Sequence, residues 1–243
     1  MSSIDDRFRA QAVPMNSPTE TEVEQPEATG VTVASTKSKG GGLAWELLQT
    51  VVLTLAIFLG VRSVVQNFRV EGASMEPTLE TGQYLLISKV TYFHVDGTPL
   101  ANILPTSHQG SIQYLFGGPE RGDIVVFKAP TQPDKDFIKR VIGLPGDTVL
   151  IKNGTVLVNG QPLSEPYIHF PATYTYPFDG QPKQIPDGYY FVLGDNRPNS
   201  SDSHLGWNVP VDNLVGRAWI SYWPPTDWGL EPAGSQVQQY QEP

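Results

Sequence analysis

The chain has 243 residues, a formal net charge of −9, 39% hydrophobic residues and no cysteine. That length suits one domain of ordinary size with additions. The acidic balance, with no clustered Lys or Arg, argues against a nucleic-acid partner, because phosphate binding needs concentrated positive charge. Without cysteine there are no disulfides, no thiolate nucleophile and no Cys-based zinc site.

Residues 1–42 are rich in Ser, Thr, Pro, Glu and Gly and poor in aromatics. Such a stretch buries too little apolar surface to offset its ordering entropy and is expected to be disordered. Residues 43–65 then read LAWELLQTVVLTLAIFLGVRSVV. From Leu47 to Val61 there is no charge, and Glu46 and Arg62 sit near the ends. About 20 such residues span a hydrocarbon core, so one transmembrane helix is expected; a buried core helix is the alternative. Lys37 and Lys39 before the segment are balanced by Arg62 and Arg69 after it, so flanking charge sets no orientation.

Beyond residue 67 the chain breaks into short runs rich in Val, Ile, Tyr and Phe, bounded by Gly, Pro, Asn and Asp. The expected strands are Phe68–Glu71, Tyr84–Lys89, Asp123–Lys128, Phe137–Ile142, Thr148–Lys152, Thr155–Val158, Tyr189–Leu193 and Gly216–Trp223. Asn153-Gly154 fits a two-residue type I′ turn, which makes 148–158 a hairpin. No helix–strand alternation is present. The fold class is therefore mainly β, an antiparallel, closed or partly open barrel-like domain over 67–223, preceded by the helix. Two Gly/Pro-rich stretches, 92–120 and 159–187, read as long loops. The tail from residue 224 reads as flexible.

Three segments could carry chemistry. In Gly72-Ala73-Ser74-Met75-Glu76-Pro77-Thr78-Leu79, a serine follows a strand on a turn that Pro77 keeps from becoming a helix. There its hydroxyl and its backbone N–H can both be exposed, as an acyl-transfer nucleophile requires. The plain alternative is an ordinary turn hydroxyl. In Asp136-Phe137-Ile138-Lys139-Arg140-Val141, alternation puts Lys139 on the side of Phe137 and Val141. Burial among them penalises the ammonium and can make a neutral amine base, unless the stem snorkels to water. The third segment, Gly194-Asp195-Asn196-Arg197 through Ser200, Asp202, Ser203 and His204, is dense in hydrogen-bonding groups. It can orient a catalytic amine or hydroxyl. His94, His108, His169 and His204 form no HExxH or His-x-His pair, so neither a metal nor another cofactor is expected.

Together, Ser74-Met75 with Pro77-Thr78-Leu79, Arg121-Gly122-Asp123-Ile124-Val125-Val126-Phe127, Lys139-Arg140 with Gly143-Leu144-Pro145-Gly146-Asp147, and Gly194-Asp195-Asn196-Arg197 through Asp202-Ser203 resemble the ordered boxes of type I signal peptidases. These are membrane-anchored serine endopeptidases that remove signal peptides from exported preproteins. The resemblance covers roughly 43–223. It implies Ser74 as nucleophile and Lys139 as neutral general base. It further implies Ser200 bonding the Lys139 amine, Asp202 holding its loop, and Asp195 as a further supporting residue. The oxyanion is met in part by the Ser74 backbone N–H. Gly72 stands where some members carry a serine that adds a second oxyanion donor. The substrates would be preprotein signal peptides cut after small residues. The domain would sit against membrane lipid, outside the cytoplasm, on a plasma or thylakoid membrane. The last box often ends in arginine where this chain has His204, and Asp202-Ser203-His204 followed by Gly206-Trp207 resembles the cyanobacterial and plant-thylakoid branch more.

Three rivals remain. A Ser74–His204–Asp202 triad is possible, because Asp202 and His204 are two apart and share a face in extended chain. Self-cleaving repressors have a related dyad, but residues 1–42 are ill-suited to a DNA-binding domain. A membrane-tethered, non-catalytic binding module of the same fold is the third.

Overall fold

The computed structural model describes residues 42–94, 107–109 and 112–230; the expected disorder of 1–41 and the sequence of 231–243 lie outside them. Contacts divide the chain into two units, up to Leu47 and from Leu48 onward. Among the described residues one α-helix, α1, runs from Gly42 to Val64 and has no buried residue. Its 23 residues give a length of roughly 34 Å at 1.5 Å per residue, enough to cross a hydrocarbon core.

Among the described residues, fourteen strands follow. They are β1 Val65–Arg69, β2 Tyr84–Ser88, β3 Ser107–Gln109, β4 Ile112–Tyr114, β5 Ile124–Ala129, β6 Gln132–Gly143, β7 Thr148–Lys152, β8 Thr155–Val158, β9 Gln161–Pro162, β10 Lys183–Gln184, β11 Tyr189–Leu193, β12 Val209–Pro210, β13 Leu214–Trp223 and β14 Gly229–Leu230. Every pairing is antiparallel. The largest sheet runs β1-β2-β13-β5-β6-β11-β12, with β14 on β13. A second sheet is β10-β7-β8-β9, and β3 pairs with β4.

The mainly antiparallel β reading holds, but among the described residues no ring closes: the large sheet begins at β1 and ends at β12. It curls instead. β1 and β6 are four steps apart, which in a flat sheet would separate them by roughly 19 Å at 4.7–4.9 Å per step. Yet Phe68, Arg69, Lys135 and Lys139 line one cleft. Register shifts in β13, in β5 against β6, and in β11 against β6 supply the irregularities that let strands bend.

Three apolar clusters make the core. One joins the inward face of the β7–β8 hairpin, Val149, Ile151, Val156 and Val158, to Leu163, Ala172, Tyr176 and Ile185. So the stretch 159–187, expected as a loop, is a packed excursion whose apolar residues complete that cluster. A second holds Tyr92, Ile112, Tyr114, Val125, Val141 and Tyr190; part of the other expected loop, 92–120, is thus also folded in. The third holds Val70, Met75, Leu79, Leu85, Ile87, Ile124 and Val126. Asn153 (φ 52°) and Gly154 (φ 80°) take the two positive dihedrals of the expected hairpin turn. The chain from residue 224 begins less freely than its composition suggests. Asp227 accepts a 2.7 Å hydrogen bond from Gln83 Nε2, and β14 adds to β13.

Candidate active site

The turn that carries Ser74 joins β1 to β2. Its neck is closed by Val70 N to Gln83 O at 2.8 Å and Gly82 N to Val70 O at 2.9 Å. Met75 and Leu79 are fully buried and act as two pegs in the third cluster. With its neighbour driven inward, Ser74 stays half-buried at the cleft wall. Gly72 lies two residues earlier at φ +87°, a conformation that costs glycine little.

Lys139 comes from β6, in register with Val125 of β5. The alternation read from sequence holds: Phe137 and Val141 pack in the second cluster and Ile138 in the third. Lys139 itself is only 4% exposed. Its Nζ donates to Ser74 Oγ at 2.7 Å and to the Ile138 carbonyl at 2.7 Å. The stem does not snorkel; the amine ends at the serine. Loss of water around the charged form lowers the lysine pKa from 10.5 to about 8, against the opposing pull of Asp202 and Asp195.

The loop after β11 ties the two together. Asn196 donates from its backbone N to Ser74 O and from Nδ2 to Ala73 O, both at 3.0 Å. Asp195 takes a bidentate bond from Arg140, Nε to Oδ1 at 2.9 Å and Nη2 to Oδ2 at 2.6 Å, with both side chains buried. Asp202 is fully buried. It accepts from Gly194 N at 2.9 Å and from His204 N at 3.2 Å, and its Oδ1 lies 2.6 Å from His204 Nδ1. Among the described residues no group of three or more His, Asp or Glu is placed to hold a metal.

One expectation needs correction, and one rival reading loses its support. Ser200 does not bond the Lys139 amine: its Oγ is buried without a hydrogen-bond partner, pressed against Gly194, and Ser74 and Ile138 take the amine instead. The triad also fails on geometry. Asp202 does hold His204, but that ring stacks on Tyr174 at 3.9 Å, and the Ser74 hydroxyl is bonded to Lys139.

Sequence reasoning placed Arg140, Asn196 and Arg197 inside motifs without giving them roles, and passed over Glu165. Arg140 carried a readable signal, since a charge on the same strand face as the apolar Ile138 needs a buried partner. Glu165 carried none.

The cleft has a volume of about 510 Å³ and reaches from Phe68–Ser74 on one wall to Lys135–Lys139 on the other, with Asn199 and Ser201 at its margin. Ser74 and Lys139 meet on it. The model of the signal peptidase family, peptidase S26, matches residues 44–223, which contain this entire site. The chain belongs to that family. Signal peptidase I of Leptolyngbya laminosa is 36% identical over 214 residues, 84% of this chain and 92% of that protein. The probable signal peptidase I-2 of Synechocystis sp. is 41% identical over 192 residues, 76% of either chain. The chloroplastic thylakoidal processing peptidase 1 of Arabidopsis thaliana is 30% identical over 210 residues, covering 78% of this chain and 54% of that protein. As an S26 signal peptidase the chain is a serine peptidase.

Gly194 gives this signal peptidase a test of its loop. A Cβ there would lie 2.4 Å from the Ser74 carbonyl oxygen and 2.2 Å from Ser200 Oγ. Gly194→Ala should displace the Ser74 turn while costing about 1–3 kcal/mol of stability. Cleavage should fall by about ten- to a hundredfold, because misplacing reacting groups by 1 Å has that effect. Cleavage kinetics with circular dichroism as the folding control check this; an unchanged rate would mean the loop does not set Ser74.

Proposed function

We propose that the chain removes signal peptides from preproteins, with Ser74 as nucleophile and Lys139 as general base. The observation that carries this is the 2.7 Å contact of the buried Lys139 amine with the Ser74 hydroxyl. With the amine neutral, the same contact reverses: the hydroxyl donates to the nitrogen lone pair. Ser74 Oγ then attacks the scissile carbonyl carbon as its proton passes to Nζ. The oxyanion forms beside the turn, where the Ser74 backbone N–H meets it. The ammonium returns its proton to the departing amine, leaving an acyl ester on Ser74. A water, deprotonated by the same amine, hydrolyses the ester and restores the serine.

A lowered pKa is what makes this affordable. At pH 8 an ordinary lysine of pKa 10.5 is neutral in roughly 0.3% of molecules, whereas one at about 8 is neutral in half of them. The gain in available base is on the order of a hundredfold, within the range general-base catalysis supplies.

The cleft suits an extended peptide. β1 pairs only with β2, and β6 from 132 to 139 pairs only with β5 among the described residues. Both stretches line the cleft with an open edge, to which a peptide strand can add. Phe68, Val70, Leu85, Val126 and Ile138 give it apolar patches among polar and charged neighbours such as Arg69, Glu71, Lys135 and Asp136. Residues one and three before the cut share one face of an extended peptide, and small side chains there match the preference of the family. Helix α1 is long and apolar enough to hold the enzyme in the bilayer, near substrates whose own apolar segment is in the membrane. Because signal peptides are cut after crossing, residues 67–243 belong outside the cytoplasm, on a plasma or thylakoid membrane.

Ser74→Ala and Lys139→Ala should each abolish cleavage of a model preprotein in detergent. The wild-type kcat/KM should fall as pH drops below about 8, where Lys139 takes up its proton, and should level off above it. Normal cutting by Lys139→Ala would move the base elsewhere. Protease added outside intact cells should digest the β-domain; digestion of residues 1–42 alone would reverse the topology.

A further inference from the structure

The excursion 159–187 commits two side chains to the back of the reacting pair. Glu165 is buried, 5% exposed in its side chain. Its carboxylate takes a bidentate bond from Arg197, Nη2 to Oε1 and Nη1 to Oε2, the latter at 3.0 Å. Arg197 is wholly buried, and its Nε donates to Gly194 O at 3.0 Å. Tyr167 OH donates to Glu165 Oε1 at 2.8 Å. The Tyr167 ring lies 4.0 Å from the Arg140 guanidinium carbon. Burial and the Glu165 charge push the Tyr167 phenol well up, so it remains a donor.

These contacts end on the two backbone segments that position the chemistry. Arg140 directly follows Lys139 on β6 and grips Asp195. Gly194 and Asn196 belong to the loop that bonds the Ser74 carbonyl. Glu165, Tyr167 and Arg197 are absent from the cleft lining, so substrate does not touch them there. A buried, bidentate ion pair contributes geometric definition more dependably than stability, because desolvation offsets much of its attraction. Apolar groups of similar volume would stabilise as well without fixing a register.

We propose that Glu165 and Tyr167 are positioning residues, a clamp from the excursion that sets the separation of Ser74 from Lys139 through Arg197 and Arg140. The inference rests on the reading of Ser74 and Lys139 as the reacting pair. Glu165→Gln should lower kcat about tenfold with KM nearly unchanged, since small misplacements cost rate and the cleft is untouched. The double variant Glu165→Leu/Arg197→Met removes both charges together. It should melt close to wild type and yet stay about tenfold slow in kcat. Recovery of both stability and kcat in the double variant would reduce the pair to a support of the fold and overturn the inference. A Glu165→Gln enzyme of normal kcat, or one changed in KM alone, would overturn it equally. Ser74→Ala and Lys139→Ala run alongside: normal cutting by either would sink the underlying reading instead, whatever the clamp variants do.

Discussion

An amine 2.7 Å from a serine hydroxyl is a base only while it is neutral, and a lysine is neutral near physiological pH only where water is kept from it. That constraint governs the site. It requires a strand to carry Lys139 inward between Phe137 and Val141, and a wall to shut the stem from solvent. It also requires carboxylates near enough to organise the loop without restoring the ammonium. Asp195 and Asp202 pull the pKa up while burial pulls it down, and burial wins. Asp195 is bonded to Arg140 and Asp202 to backbone N–H groups and His204. Both negative charges are therefore largely spent on other partners, which limits their pull on Lys139.

The curled sheet follows from the same need. Ser74 sits after the first strand of the large sheet and Lys139 on the fifth strand in order, four steps away, so only a bent sheet brings them together. Bulges in β13, β5 and β11 permit the bend, and the Met75 and Leu79 pegs fix the serine turn to the concave wall. The bend also leaves two strand edges facing one cleft, which is the arrangement an extended substrate requires.

Much of this was legible in the chain itself. Period-two alternation along 136–142 is enough to turn Lys139 toward a core, and Asn153-Gly154 is enough to define a hairpin, because both signals are local. Ordered boxes pointed to Ser74, Lys139, Asp195 and Asp202 through family resemblance rather than through any spacing rule. Contacts of high sequence separation were not legible. Nothing in Glu165-Pro166-Tyr167 announces a buried pair with Arg197, 32 residues on, and Gly/Pro richness made the packed excursion read as loop. Ser200 shows the opposite limit. A family role placed its hydroxyl on the amine, whereas here the Ile138 carbonyl takes that bond and Ser200 lies against Gly194. Whether the barrel-like domain is closed or partly open was not legible, because strand count alone does not say whether the ends of a sheet meet.

The most direct measurement is the titration of the Lys139 amine itself, by NMR of enzyme carrying lysine labelled with carbon-13 at Cε. Its resonance is assigned as the one missing from Lys139→Ala. A midpoint near pH 8, lost toward ordinary lysine values when the protein is unfolded, is the predicted result. A midpoint near 10.5 in the folded enzyme would mean that Lys139 is a charged residue at working pH and not the base.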